Sequence, residues 1–243
     1  MHVIYEIDPY YSPSVLECML DKACRTGIRE VVVYIPTYND ESYVQAINGV
    51  TMQGNHLFKY LTLNGVIVTK QTIKNTKQPF GFVIAVGIDV SNLQIFEDRS
   101  DVKGVVLIND DIANIDEWLK LYDATDANTG QTRMQGMQVP PLLNRVIGWL
   151  KHISEGSTPL YDFKREDYLR EAANLLKRNG AAYSADAVAT QCIKRGLDAR
   201  SARAVANVFG KALTTKGDMP LKVGKPDYDK MLAMVDDEQY ERN

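Results

Sequence analysis

The run Glu30-Val31-Val32-Val33-Tyr34-Ile35 is the strongest constraint on the fold. A segment that is apolar at consecutive positions must be covered on both faces, which is the environment of a central strand in a parallel sheet. Four more runs are of strand length and similar character: residues 3–7 (VIYEI), Val66-Ile67-Val68-Thr69, Phe82-Val83-Ile84-Ala85-Val86 and Val105-Val106-Leu107-Ile108. Helical patterning separates them. Ser12-Pro13-Ser14 opens the first helix, with Pro13 suited to its first turn and Ser14 and Glu17 forming a capping-box pair. Val15, Leu16, Met19, Leu20 and Ala23 share one face, and Gly27 supplies the left-handed residue that ends it. Further helical segments are expected around 41–48 and 54–63, the second stopped by Asn64-Gly65. A last one starts near Asn114, with Glu117 as capping partner and an apolar stripe of Ile115, Trp118, Leu119 and Tyr122.

Five apolar strands alternating with helices predict right-handed βαβ crossovers and an α/β fold. Over residues 1–125 the pattern resembles a flavodoxin-like or Rossmann-like domain, doubly wound on a mostly parallel five-stranded sheet. Residues 126–139 are polar and glycine-containing and read as a linker. A C-terminal all-helical domain is expected over 140–214. Pro140-Pro141 begins a broadly apolar helix expected to lie buried between the two halves, and shorter helices follow near 165–178, 184–195 and 199–213. Residues 215–243 read as an extended tail, with a short helical segment between Tyr228 and Tyr240.

The opening residues lack a basic segment followed by a long apolar one, so no secretory leader is expected. No apolar run reaches the roughly 18–20 residues of a membrane span. Cys18 and Cys24 fall on one helix, about 9 Å apart along its axis, and are not expected to form a disulfide. Reduced, packed cysteines in a cytoplasmic protein are the expectation. Net charge is −3, which excludes a general polyanion binder, but it is unevenly spread. From Leu160 to Pro226 there are thirteen Lys and Arg against seven Asp and Glu, a local +6 that leaves −9 for the rest.

A doubly wound sheet binds ligands at the carboxyl ends of its strands. The segments expected there are Asp8-Pro9-Tyr10-Tyr11-Ser12, Pro36-Thr37-Tyr38-Asn39-Asp40, Lys70-Gln71, Gly87-Ile88-Asp89 and Asn109-Asp110-Asp111. The first turn has bulky rings where a dinucleotide fold needs glycines, and no phosphate-binding G-x-x-x-x-G-K-[ST] occurs. His2, His56 and His152 are too scattered for a zinc site or a catalytic triad. What remains is acidic. Asp8, Asp110 and Asp111, with Asp40 or Asp89, offer hard oxygen ligands for Mg²⁺ or Mn²⁺, with Tyr38 or Tyr10 to stack a ring. The same residue type also caps helices and turns chains at strand ends.

Val32-Val33-Tyr34-Ile35-Pro36-Thr37-Tyr38-Asn39-Asp40 resembles the first-strand signature of inverting GT-A glycosyltransferases. In that resemblance Asn109-Asp110-Asp111 falls where the family carries its acidic metal-binding motif. The chain departs from the family in lacking the acidic turn after the next strand and in having a strand and helix before the signature.

The third candidate is basic. Helices 184–195 and 199–213 meet at Gly196-Leu197-Asp198, the length and turn of a helix-turn-helix unit. Lys194 and Arg195 end the first, and Arg200, Arg203 and Lys211 lie on the second, where they suit phosphate or guanine contacts. Gln191 and Arg195 occupy positions that such a unit usually fills with apolar groups. The leading expectation is a non-catalytic binding or regulatory protein whose basic helical domain contacts DNA, RNA or a partner protein, with no membrane and a possible homo-oligomer. Its rivals are a Mg²⁺- or Mn²⁺-dependent phosphoryl- or glycosyl-transfer enzyme and a structural assembly protein.

Overall fold

The computed structural model describes residues 1–10, 12–25, 27–35, 61–63, 66–72, 81–97, 101–155, 159–162 and 165–222. The chain divides into two compact units, Met1–Arg133 and Met134–Asn243.

The first unit is doubly wound. Its elements are β1 (His2–Ile7), α1 (Pro13–Arg25), β2 (Glu30–Ile35), β3 (Leu61–Leu63), β4 (Val66–Thr72), β5 (Phe82–Val86), α2 (Val90–Glu97), β6 (Gly104–Asn109), α3 (Asp116–Leu121) and β7 (Thr125–Asp126). The sheet order is β3-β4-β2-β5-β6-β1-β7. Strands β4, β2, β5, β6 and β1 form the parallel core of five that the Val/Ile runs predict. Alternation along these strands sorts their side chains onto two faces. Val31, Val33, Ile35, Ile84, Val86 and Ile108 meet Leu16, Met19 and Leu20 of α1. Val3, Tyr5, Val32, Tyr34, Val83, Ala85, Val105 and Leu107 meet Leu93 and Phe96 of α2 and Trp118 and Leu119 of α3. The order explains the division. The β1-to-β2 connection runs one way across the sheet and β5-to-β6 and β6-to-β7 run the other, so right-handed crossovers put their helices on opposite faces.

Two local expectations are corrected. Leu61–Leu63, expected to end a helix, is a strand antiparallel to β4, with Leu61 opposite Val68 and Leu63 opposite Val66. An Asn-Gly pair between two apolar runs is a hairpin signal before it is a helix stop. The Asn114–Glu117 cap does not form; α3 begins after Ile115 with no side-chain cap. The expected helix at 41–48 lies outside the described residues, as does the remainder of the one at 54–63.

Residues 125–133, at the junction with the segment read as a linker, are built into the first unit. β7 pairs with β1, and Arg133 forms an ion pair with Asp116 of α3. Burial disfavours the charged Asp116 carboxyl, but hydrogen bonds from Lys120 and Arg133 outweigh it and hold the carboxyl below its ordinary range. A carboxyl depressed in the folded state stabilises above its unfolded pKa and loses that contribution as pH falls through the folded value. Asp116→Asn is therefore expected to cost about 1–2 kcal/mol at neutral pH. In thermal unfolding against pH, the gap from the parent protein closes on the acid side of about pH 4.

The described elements of the second unit are all helices: α4 (Pro141–Ser154), α5 (Glu166–Arg178), α6 (Ala185–Lys194) and α7 (Ala199–Thr214). Helix α4 packs on α5 and α6, and α7 packs on both α5 and α6. Leu143, Val146, Ile147 and Leu150 of α4, Leu169, Ala172 and Leu176 of α5, Val188 and Cys192 of α6, and Ala202, Val205 and Phe209 of α7 are buried. Burial drives the Cys192 thiol strongly upward, so it is a neutral packing group. No helix among the described residues is long and apolar enough to cross a membrane.

Candidate functional site

At the carboxyl edge of the sheet, β5, β6 and β1 are neighbours, which brings Asp8, Asp89, Asp110 and Asp111 to one rim. Two of these carboxylates are engaged with the backbone. Asp8, 7% exposed, accepts from the N–H of Tyr10 at 3.0 Å and of Ser12 at 2.5 Å, shaping the turn into α1. Asp111 accepts from the N–H of Ala113 at 2.9 Å. The residue that organises this rim is Asn109, which the sequence reading named only as part of a loop. Only 4% exposed, it donates to the Ile88 carbonyl at 3.1 Å and accepts from the Asp110 N–H at 2.8 Å, tying the β5 and β6 loops together. Gly87, at φ +62°, makes the turn that lets Ile88 reach it. Asp89, Asp110, Asp111 and Tyr10 are exposed. Among the described residues no group of three or more His, Cys, Asp or Glu side chains is placed to hold a metal ion. Tyr38, Asp40 and the last five positions of the glycosyltransferase-like run lie outside the described residues.

In the helical unit, α6 and α7 are joined as the sequence predicts. Ser184 caps α6 by accepting from the Ala187 N–H at 3.1 Å, and Asp198 caps α7 by accepting from the Ser201 N–H at 2.8 Å. Gly196, at φ +79°, ends α6, and the Leu197 N–H returns to the Cys192 carbonyl at 3.0 Å. The polar residues Gln191 and Arg195 are accommodated by one acceptor on α4. Asn144 Oδ1 takes the Gln191 amide at 2.8 Å and the Arg195 Nε at 3.1 Å. The Nε of Arg195 is thus engaged with α4.

The other cations of α7 are brought together. Arg200, Arg203, Asn207, Lys211 and Thr214 are all exposed, and at 100° per residue they form one stripe along the helix. Lys194 is exposed at the end of α6. The Arg200 guanidinium lies over the Tyr161 ring, 4.0 Å from its centroid, and the ring itself is 41% exposed. At the far end of the stripe, Lys211 and Thr214 join Val208, Thr215, Glu166, Arg170, Met219 and Pro220 around an open cleft of about 270 Å³.

One wall of that cleft comes from a segment that periodicity does not reveal. Residues 215–222 run as a strap along a polar stripe of α5. Asn174 holds Met219 at both its N–H (2.8 Å) and its carbonyl (3.1 Å), Arg170 donates to the Pro220 carbonyl at 2.5 Å, and Asp167 accepts from the Lys222 N–H at 2.8 Å. Lys177 donates to the carbonyls of Ala212, Thr215 and Gly217, closing the end of α7. Hydrogen bonds from Lys222 and Arg170 hold the Glu166 carboxyl below its ordinary range.

No protein-family model, curated protein or solved structure matches this chain. A functional reading therefore rests on the chemistry of the two surfaces.

Proposed function

We propose that this protein binds nucleic acid without catalysis, through the exposed face of α7. The observation that carries the reading is the alignment of Arg200, Arg203, Asn207, Lys211 and Thr214 along one solvent-facing stripe. Three cations on one helix face can neutralise phosphates of a polyanion, and the amide and hydroxyl add donors for phosphate oxygens. The local charge excess supports the same reading. The acidic rim gives less support to a Mg²⁺- or Mn²⁺-dependent transferase, because Asp8 and Asp111 direct their carboxylates at backbone N–H groups.

The test is fluorescence anisotropy of labelled oligonucleotides with the full-length protein over a range of salt. Three phosphate contacts predict that log K falls with log salt at a slope of about −2 to −3. Absence of binding at low salt would overturn the reading.

A further inference from the structure

We infer that the α7 face takes single-stranded nucleic acid, with one unpaired base seated in the cleft beside Lys211 and another stacked at the Tyr161–Arg200 pair. The inference rests on the nucleic-acid reading and specifies its ligand. Two features bracket the cationic stripe, and each suits a base that has left its partner.

The first is the cleft. Its volume of about 270 Å³ falls just below the range of drug-sized pockets, so it fits one ring system and not a whole cofactor. Val208, Met219 and Pro220 give it apolar walls for a ring face. Glu166 and Arg170, paired with each other and with the strap, also line it, and the carboxylate lone pairs and guanidinium N–H groups left over after those bonds offer a base edge an acceptor and a donor. Lys211 and Thr214 belong both to the cleft and to the stripe, so a backbone neutralised on α7 delivers a base directly into it.

The second is the aromatic pair at the other end. Tyr161 is exposed at the surface, and the Arg200 guanidinium lies over one side of its ring. Bases stack on tyrosine rings and on guanidinium planes, and such stacking tolerates any sequence. From Arg200 to Lys211 the helix rises about 16 Å. That is the length of about five nucleotides stacked as in a duplex, and of fewer when extended. A single strand can therefore engage both ends at once. A duplex offers phosphates to the same cations but keeps its bases inside the stack, and extruding one costs unstacking and unpairing.

Anisotropy with the full-length protein decides the matter, using labelled oligo-dT and a hairpin duplex with the same number of phosphates. Oligo-dT is expected to bind about tenfold more tightly or better. Tyr161→Ala and Thr214→Trp, the second filling the cleft from an exposed position, should each reduce that preference about tenfold, while duplex affinity falls by about twofold at most, the share of the lost Thr214 hydroxyl. Tyr161→Phe should retain it. Arg203→Glu should weaken both ligands together. Equal affinity for the two probes, or a preference that survives both substitutions, overturns the single-strand inference and leaves the charge-based reading standing. Binding of neither probe at low salt removes both.

Discussion

Reversing two charges together, Arg200→Glu with Arg203→Glu, is expected to weaken oligonucleotide binding about 100-fold at low salt and to reduce the salt slope by about two. Each substitution removes one phosphate contact and replaces it with repulsion from the same phosphate. The effect thus exceeds simple neutralisation, which Arg200→Gln with Arg203→Gln would measure. The fold should survive the reversal. Both positions are exposed. Arg200 is the second residue of α7, where a carboxylate is favoured by the unpaired N–H groups of the first turn. One structural loss is the contact of Arg200 with Tyr161, worth about 0.5–1 kcal/mol at an exposed site. Circular dichroism should therefore report unchanged helix content in a protein that no longer binds. Retained affinity and slope would place any contact with nucleic acid elsewhere on the molecule.

The sequence made the parallel core legible because a covered strand has to be apolar on both faces, and runs such as Val31-Val32-Val33 satisfy little else. The helix that begins at Ser184 was legible for the same kind of reason: a short polar side chain stands immediately before an apolar-periodic run. Strand β3 was not, because three residues are too few to display a period and their pairing is set by β4. The site divided along similar lines. The α7 stripe is a local periodicity and could be read from spacing. The cleft depends on contacts between positions far apart in the chain. Leu169, Ala172, Leu175 and Leu176 mark one inward face of α5, yet Asp167, Glu171 and Asn174 are buried as well. Nothing in the helix's own pattern says that a strap about forty-five residues later covers that polar side. Polar residues spaced at 167, 171, 174 and 178 were a visible stripe, but a solvated face has the same appearance.

That stripe leads to the largest expected effect on stability. Asn174→Ala should lower the stability of the protein by about 3 kcal/mol, read as a shift in the urea midpoint. Asn174 is 1% exposed and acts as a surrogate peptide group: its amide donates to the Met219 carbonyl, and its oxygen accepts from the Met219 N–H. Truncation leaves both main-chain groups facing a site where water enters poorly, and each such orphan costs about 1–3 kcal/mol. Asn174→Asp separates the two halves of the interaction. It keeps the acceptor for the Met219 N–H but loses the donor, and it sets a carboxylate beside Glu171, which is itself 5% exposed. Burial and the neighbouring charge raise the folded-state pKa of such an aspartate, so its penalty is present above that value and shrinks as pH falls through it. The Asp variant should thus recover stability on mild acidification, whereas the Ala variant should not. Both should also expose Lys216 and Lys222 to trypsin, because the Asn174–Met219 pair lies between them on the strap. An unchanged midpoint with unchanged protection in Asn174→Ala would mean that Lys177, Arg170 and Asp167 hold the strap without it. Loss of protection would also carry Met219 and Pro220 away from the cleft, so the same variant should lose the preference for oligo-dT while keeping the cations of α7 in place.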